Sequence, residues 1–335
     1  MSDREEIVVV VPLPPDLVEI LGAVGRVVTV EEGDAPKLKG AMATASALLV
    51  SGYVQVPAPL LAAAPSLKVI STVSVGLDHI DIDAATARNI LVCNTPGVLD
   101  AAVAECAMLI ILTLARRGYA NMAAVRSGAW SRRDPMPPFG SDLRHKTLGI
   151  LGMGRTGSAV ARAASLGFGM QILYHNRSGK SPQTPFPMEY VDRADLFRRS
   201  DYVSVHVDPN AETIRSIGQA EFDLMKPSAY FVNLSRGAIV DEAALIAALL
   251  TGRIAGAALD VMEIEPPSVS NPLLGLENVV VTPHIGTATF ETRRLMAELA
   301  VRNLVDVCHG TAPAAIVNPQ VLAKTERLSG PAEAN

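Results

Sequence analysis

Leu148-Gly149-Ile150-Leu151-Gly152-Met153-Gly154-Arg155-Thr156-Gly157-Ser158 decides how this chain folds. A short apolar run, Leu148–Leu151, reads as a buried strand and enters a turn with glycine at 152, 154 and 157. The residues that follow, Ser158–Leu166, read as a helix. Strand, glycine turn and helix in that order make the start of a βαβ unit. The turn's backbone N–H groups can approach a pyrophosphate at the helix N-terminus.

Working outward, short β-branched runs alternate with helix-length Ala/Leu-rich stretches on both sides of this turn. Before it stand Ile7–Val11, Val27–Val30, Leu48–Val50, Val69–Ser71 and Leu91–Cys93. From it onward stand Leu148–Leu151, Gln171–Tyr174, Tyr202–Val205, Tyr230–Asn233, Ile254–Leu259 and Val279–Val281. Two alternating series predict an α/β chain with two Rossmann-like, doubly wound parallel sheets, the second with six strands. Between the series lie helical stretches over Asp100–Arg117 and Asn121–Ser127, then the proline-rich 130–140. A last helix, Glu291–Cys308, has no second-sheet strand to lead to and is expected to return to the first domain. The tail 324–335 reads as loosely held.

Composition sets the broad class. The chain has 335 residues, 49% of them hydrophobic and 19% charged, which suffices for two cores. Its 29 basic and 34 acidic residues give a net charge of −5, without the basic footprint of a nucleic-acid or anionic-membrane binder. The N-terminus lacks the form of a signal peptide, and Ala101–Ala115 is too short to span a bilayer and carries Glu105. A cytoplasmic location and a small-molecule partner are therefore expected. Cys93, Cys106 and Cys308 are far apart and read as core residues rather than disulfides or zinc ligands. No histidine pair has ligand spacing, so no metal is expected.

Three ionisable residues follow three successive strands: Arg236 after Tyr230–Asn233, Glu265 after Ile254–Leu259 and His284 after Val279–Val281. Ligands of open α/β sheets bind at those strand ends. Reduction of a 2-oxo acid needs a cation for the carboxylate, which a guanidinium supplies with a planar fork of donors. It needs a proton donor for the carbonyl oxygen, which suits His284, and a partner that keeps that donor charged, which suits Glu265. His79 and His206 stand near strand ends and could edge the site, whereas His145, His175 and His309 read as surface residues.

Cofactor choice is legible about twenty residues beyond the glycine turn. Folds that prefer NAD place a carboxylate there for the ribose 2′-hydroxyl. This chain has His175, Asn176, Arg177 and Ser178, with Lys180 nearby, a set suited to a 2′-phosphate. NADPH is expected, with NAD weaker.

Read in order, these segments resemble the D-isomer-specific 2-hydroxyacid dehydrogenase family across nearly the whole chain. The carrying residues are Ser74-Val75-Gly76-Leu77-Asp78-His79-Ile80-Asp81, Asn94-Thr95-Pro96-Gly97, the glycine turn, Asn233-Leu234-Ser235-Arg236-Gly237, Leu259-Asp260-Val261 with Glu265-Pro266, and Pro283-His284-Ile285-Gly286. The resemblance implies a cofactor domain, 100–288, inserted into a substrate domain made of 1–99 with 289–335. It also implies a homodimer formed through the crossing segment 100–145. Val75 and Gly76 would offer backbone N–H groups to the substrate carboxylate beside Arg236 and His284. The cofactor-binding set it implies is Gly152, Gly154, Arg155, Thr156, Gly157, Asn176, Arg177, Ser178, His206, Thr213, Leu234, Ser235, Arg236, Asp260, His284 and Gly286.

Within the family, Ile70–His79 is most similar to glyoxylate/hydroxypyruvate reductases, whose products would be glycolate and D-glycerate. Alternatives are a 2-ketogluconate-type sugar-acid reductase with the same mechanism and a dinucleotide-sensing corepressor-like protein. In two places the chain departs from the family's pattern. Met136-Pro137-Pro138-Phe139 stands where those reductases often carry tryptophan, and Val207-Asp208-Pro209-Asn210 follows His206.

Overall fold

A computed structural model describes residues 5–130, 139–177, 179 and 183–322. The chain divides into two compact units: one runs to Val98 and resumes at Phe290, and the other is Leu99–Thr289.

The first unit holds five strands, β1 (Glu6–Val10), β2 (Arg26–Thr29), β3 (Ala47–Ser51), β4 (Val69–Val73) and β5 (Leu91–Cys93). They pair in parallel in the order β2-β1-β3-β4-β5. Every residue of β3, β4 and β5 is buried, as expected where helices cover both faces of a parallel sheet. Val8, Leu48, Ile70 and Val92 lie side by side across four strands and share one core with Met42 and Leu61. Each such fully buried side chain is worth about 1.5–3 kcal/mol.

The helix Phe290–Cys308 packs on the sheet through Met296, Ala297, Ala300, Val301 and Leu304. Ser71 Oγ donates to the Ala300 carbonyl at 2.8 Å, and Asn303 Nδ2 donates to the Asn94 carbonyl at 3.1 Å. Arg294 grips Asp16 with both terminal nitrogens, fixing the same helix against the first helix of the chain.

The second unit holds β6 (Thr147–Leu151), β7 (Gln171–His175), β8 (Glu189–Tyr190), β9 (Tyr202–Val205), β10 (Tyr230–Asn233), β11 (Gly256–Leu259) and β12 (Val279–Val281). All pairs are parallel, in the order β12-β11-β10-β9-β6-β7-β8. Strand order reverses at β6, which lies between β7 and β9, so the glycine turn after β6 stands at the topological switch point. The helix Asp100–Ala115 has ten buried residues and packs on the helix Arg155–Arg162, forming one core with Leu148, Ile150, Val232 and Ala258. The opposite face carries a second core around Phe197, Phe222 and Phe231.

The structure departs from the expected elements in four places. The second sheet has seven strands rather than six, because the two-residue β8 continues β7 with too little sequence to show a period. The strand expected from Ile254 starts at Gly256, where a Cβ would come within 2.3 Å of the Asn278 carbonyl oxygen. The helix after the glycine turn starts at Arg155, and beyond Arg162 it widens into a π-turn over Ala163–Gly167. The helix expected to reach Arg117 ends at Ala115, because Arg117 adopts φ +49° and opens the next helix, Gly118–Arg126. His175, expected at the surface, is half-buried, with Nδ1 3.0 Å from the Val191 carbonyl and its ring stacked on Tyr190. Met136 to Pro138, Ser178, Lys180 and the tail 324–335 lie outside the described residues.

Candidate active site

Arg236 is placed by the end of β10. Asn233, 1% exposed, accepts from the Ser235 N–H at 3.0 Å and donates through Nδ2 to the Arg236 carbonyl at 2.9 Å, so its amide clamps the turn. Ser235 Oγ donates to the Val207 carbonyl, two residues past the end of the neighbouring strand β9. Gly237 is required next: a Cβ there would lie 1.9 Å from the Met262 carbonyl oxygen. That close approach brings the Arg236 turn against the loop that carries Glu265. Arg236 Nη1 donates to the Ser235 carbonyl at 2.8 Å.

The His284 loop is built on Asp260. This carboxylate, 2% exposed at the end of β11, accepts from Thr282 Oγ1 at 2.6 Å and from the Ile285 and Gly286 N–H groups at 2.8 Å each. Its carbonyl accepts from the His284 N–H at 3.0 Å. His284 is thereby held at φ +53°, a conformation that costs a non-glycine residue energy and persists where its surroundings over-determine it. Its Nδ1 donates to Glu265 Oε2 at 2.8 Å, and Glu265 Oε1 accepts from the Met262 N–H at 3.1 Å. Burial pushes the Glu265 carboxyl up. The hydrogen bond and charge of His284, the Met262 N–H and the Arg236 guanidinium outweigh it and hold the group below the usual carboxylate range. The result is an ionised carboxylate on one ring nitrogen of an imidazole with a guanidinium nearby, which can deliver a proton and bind an anion.

The glycine turn can hold a diphosphate. Gly152 takes φ +97° and sits so close to β9 that a Cβ would lie 2.5 Å from the His206 carbonyl oxygen. A Cβ on Gly157 would lie 2.2 Å from the Gly152 carbonyl oxygen, whereas at Gly154 nothing comes within 4 Å. Space thus opens over the turn where the first N–H groups of the helix Arg155–Arg162 point outward. Arg155 is exposed, and Thr156 Oγ1 is engaged by Asp100 Oδ1 at 3.0 Å.

Asn176, at the end of β7, accepts from the Met153 N–H at 2.5 Å and reaches the Met153 carbonyl with Nδ2 at 3.4 Å, pinning the turn. Arg177 is exposed, with Nη1 3.0 Å from Glu212 Oε2. His206 Nε2 lies 2.8 Å from Ser204 Oγ, and burial pushes this imidazole down to about 4, which leaves it uncharged near neutrality.

Most of the expected set therefore converges on the C-terminal strand ends of the second unit. Thr213 serves its own turn: its hydroxyl donates to the Asp208 carbonyl at 2.6 Å and accepts from the Asn210 N–H at 2.8 Å. Asp208 is exposed in that turn. His79, expected near the site's edge, is a buried residue of the first unit at 3% exposure. Val75 and Gly76 are half-buried in the first unit. Sequence reading missed Asp100, Glu212 and the structural part of Asp260. The first two have partners 56 and 35 residues away, and no local pattern marks such pairs. Among the described residues no cluster of three or more His, Cys, Asp or Glu could hold a metal, and no helix is long and apolar enough to cross a membrane.

Comparison with known proteins gives a consistent picture. The family model for the D-isomer specific 2-hydroxyacid dehydrogenase NAD binding domain matches residues 108–286. The chain is 47% identical over 283 residues to glyoxylate/hydroxypyruvate reductase B of Klebsiella pneumoniae (strain 342), covering 84% of this chain and 87% of that protein. It is 47% identical over 271 residues to the glyoxylate reductase of Thermococcus litoralis, covering 79% and 81%. A crystal structure of the NADPH-dependent glyoxylate/hydroxypyruvate reductase of Sinorhizobium meliloti, in complex with NADP and malonate, matches with a TM-score of 0.85 at 34% identity, over 94% of this chain and 97% of that one.

Proposed function

This chain belongs to the D-isomer-specific 2-hydroxyacid dehydrogenase family, and from that premise we propose that it reduces glyoxylate and hydroxypyruvate with NADPH to glycolate and D-glycerate. The observation that carries the reading is the 2.8 Å contact between His284 Nδ1 and a Glu265 carboxylate held ionised below the usual range.

A nicotinamide dinucleotide, when bound, supplies the hydride that adds to C2 of the oxo acid. Arg236 pairs with the substrate carboxylate, and the N–H groups of Val75 and Gly76 donate to it. His284 gives the proton on Nε2 to the carbonyl oxygen as the C2–H bond forms, so that carbonyl, hydride and proton together make the alcohol, primary from glyoxylate and secondary from hydroxypyruvate. Glu265 accepts from Nδ1 and fixes the ring's direction. Gly152, Gly154 and Gly157 would let the backbone meet the pyrophosphate, and Arg177, with Asn176 holding the turn beside it, would face the 2′-phosphate. His206, Leu234, Ser235, Asp260 and Gly286 would complete the cofactor's surroundings.

The second unit is read as the cofactor domain and the first as the substrate domain. Free, largely buried cysteines support a cytoplasmic setting. Exposed Leu109, Tyr119, Met122 and Val125 on the helices after Leu99 support a homodimer through that segment.

His284→Ala tests the reading. Loss of a positioned acid should lower turnover of glyoxylate by roughly 100-fold or more, with NADPH binding retained by fluorescence titration. Near-parental turnover in the folded variant would remove His284 from the chemistry.

A further inference from the structure

Beneath Val75 and Gly76 runs a chain of side-chain hydrogen bonds to which no role has been given. His79 Nε2 lies 3.0 Å from Thr72 Oγ1, Thr72 Oγ1 lies 2.8 Å from Ser74 Oγ, and Ser74 Oγ lies 2.8 Å from the Gly76 carbonyl oxygen. His79 and Thr72 are 3% and 0% exposed.

The direction of each bond follows from counting protons. A carbonyl only accepts, so the Ser74 hydroxyl proton goes to Gly76. Ser74 then accepts from Thr72, whose single proton is spent, so Thr72 must accept from an N–H on His79 Nε2. The relay is fixed end to end as His79 to Thr72 to Ser74 to the Gly76 carbonyl.

Two further bonds hold the adjoining peptides. The Thr95 N–H donates to the Ser74 carbonyl at 2.9 Å, and Asn94 Nδ2 donates to the Val75 carbonyl at 3.0 Å. In a planar trans peptide the N–H points opposite to the C=O. Pinning the carbonyls of Ser74, Val75 and Gly76 therefore aims the N–H groups of Val75, Gly76 and Leu77 away from those anchors, as a row of donors for an anion.

We infer that His79 is a positioning residue for substrate binding: through Thr72 and Ser74 it sets the angle of the peptides that receive the 2-oxo acid's carboxylate. This rests on the proposed reading of Val75 and Gly76. It assigns His79 no contact with substrate or cofactor and no proton transfer.

The test uses Ser74→Ala, Thr72→Val and their double variant in the full-length chain, with NADPH and glyoxylate. Each single variant should raise the KM for glyoxylate about 5- to 10-fold, the scale of one lost hydrogen bond, with kcat and the KM for NADPH within about 2-fold. Because both changes cut one chain, the double variant should cost no more than the worse single one. His79→Phe should behave in the same way, and His79→Gln, which keeps an N–H donor, should recover most of the loss. Unchanged KM for glyoxylate in Ser74→Ala, or single effects that multiply in the double variant, would overturn the relay. A merely structural role would lower the melting temperature and the active fraction while leaving the KM for glyoxylate alone, and that too would overturn it. Failure of the parent itself to oxidise NADPH with glyoxylate would instead count against the proposed reaction.

Discussion

Glu265 accepts two hydrogen bonds, one per oxygen, from the Met262 N–H and from His284. Its carboxyl lies below the usual range despite the opposing pull of burial. It stays ionised throughout the neutral range, and its charge is lost only as pH falls through that depressed value. That carboxylate holds the His284 ring through Nδ1, so the reaction needs Glu265 in its ionised form. In Glu265→Gln the loss of kcat/KM that sets in at low pH, as the parent's carboxylate takes up a proton, should be absent, which a pH series on parent and variant reads directly; superimposable acid limbs would separate Glu265 from the reaction. Arg236, Glu265 and His284 were legible because each stands just past a strand whose apolar run is clear in the sequence. The Arg177–Glu212 pair was not, since the two residues meet only after β7 and β9 have paired on either side of β6. With side chains 83% and 70% exposed, that pair adds little to stability, so Arg177 can exchange Glu212 for a phosphate at small cost.

At the scale of elements, the glycine turn separates two reasons for having no side chain. At Gly157 a Cβ would meet backbone 2.2 Å away, whereas at Gly154 it would meet nothing. Gly157→Ala should therefore destabilise the fold by roughly 1–3 kcal/mol, the usual scale of overpacking, and lower the melting temperature by several degrees. Gly154→Ala should melt with the parent yet bind NADPH more weakly, because its methyl group enters the space left for the pyrophosphate. Thermal melts and NADPH titrations on both variants check this, and parental NADPH affinity in Gly154→Ala would mean that the diphosphate lies elsewhere. The three glycines and the flanking strand and helix were readable from spacing alone. The widened turn at Ala163–Gly167 and the pair Glu189–Tyr190 were not, because tertiary packing and strand pairing decide them rather than any local period. Gly237 looked like one more turn glycine, and its need appears only against the Met262 carbonyl.

At the scale of the molecule, two parallel sheets with different strand orders share one chain, and the helix Phe290–Cys308 belongs to the unit with which the chain began. The alternation of strand and helix patterns made the fold class readable, and the absence of any strand after Val281 told where the last helix belonged. The His79 relay was hidden, since Thr72, Ser74 and His79 look in sequence like ordinary residues of a strand and the turn after it. Cofactor choice follows from the second unit as a whole: Asn176 pins the glycine turn without adding a carboxylate, and Arg177 stands beside it. One charge-assisted contact to a 2′-phosphate, at about 1.5–3 kcal/mol, corresponds to roughly a 10- to 150-fold preference. The most direct test is a substrate panel of glyoxylate, hydroxypyruvate and 2-ketogluconate run with NADPH and with NADH at matched concentrations, following nicotinamide absorbance. Rapid oxidation of NADPH with the first two acids, a much slower reaction with NADH and formation of D-glycerate from hydroxypyruvate are predicted; no oxidation of either cofactor by any of the three acids would contradict the account.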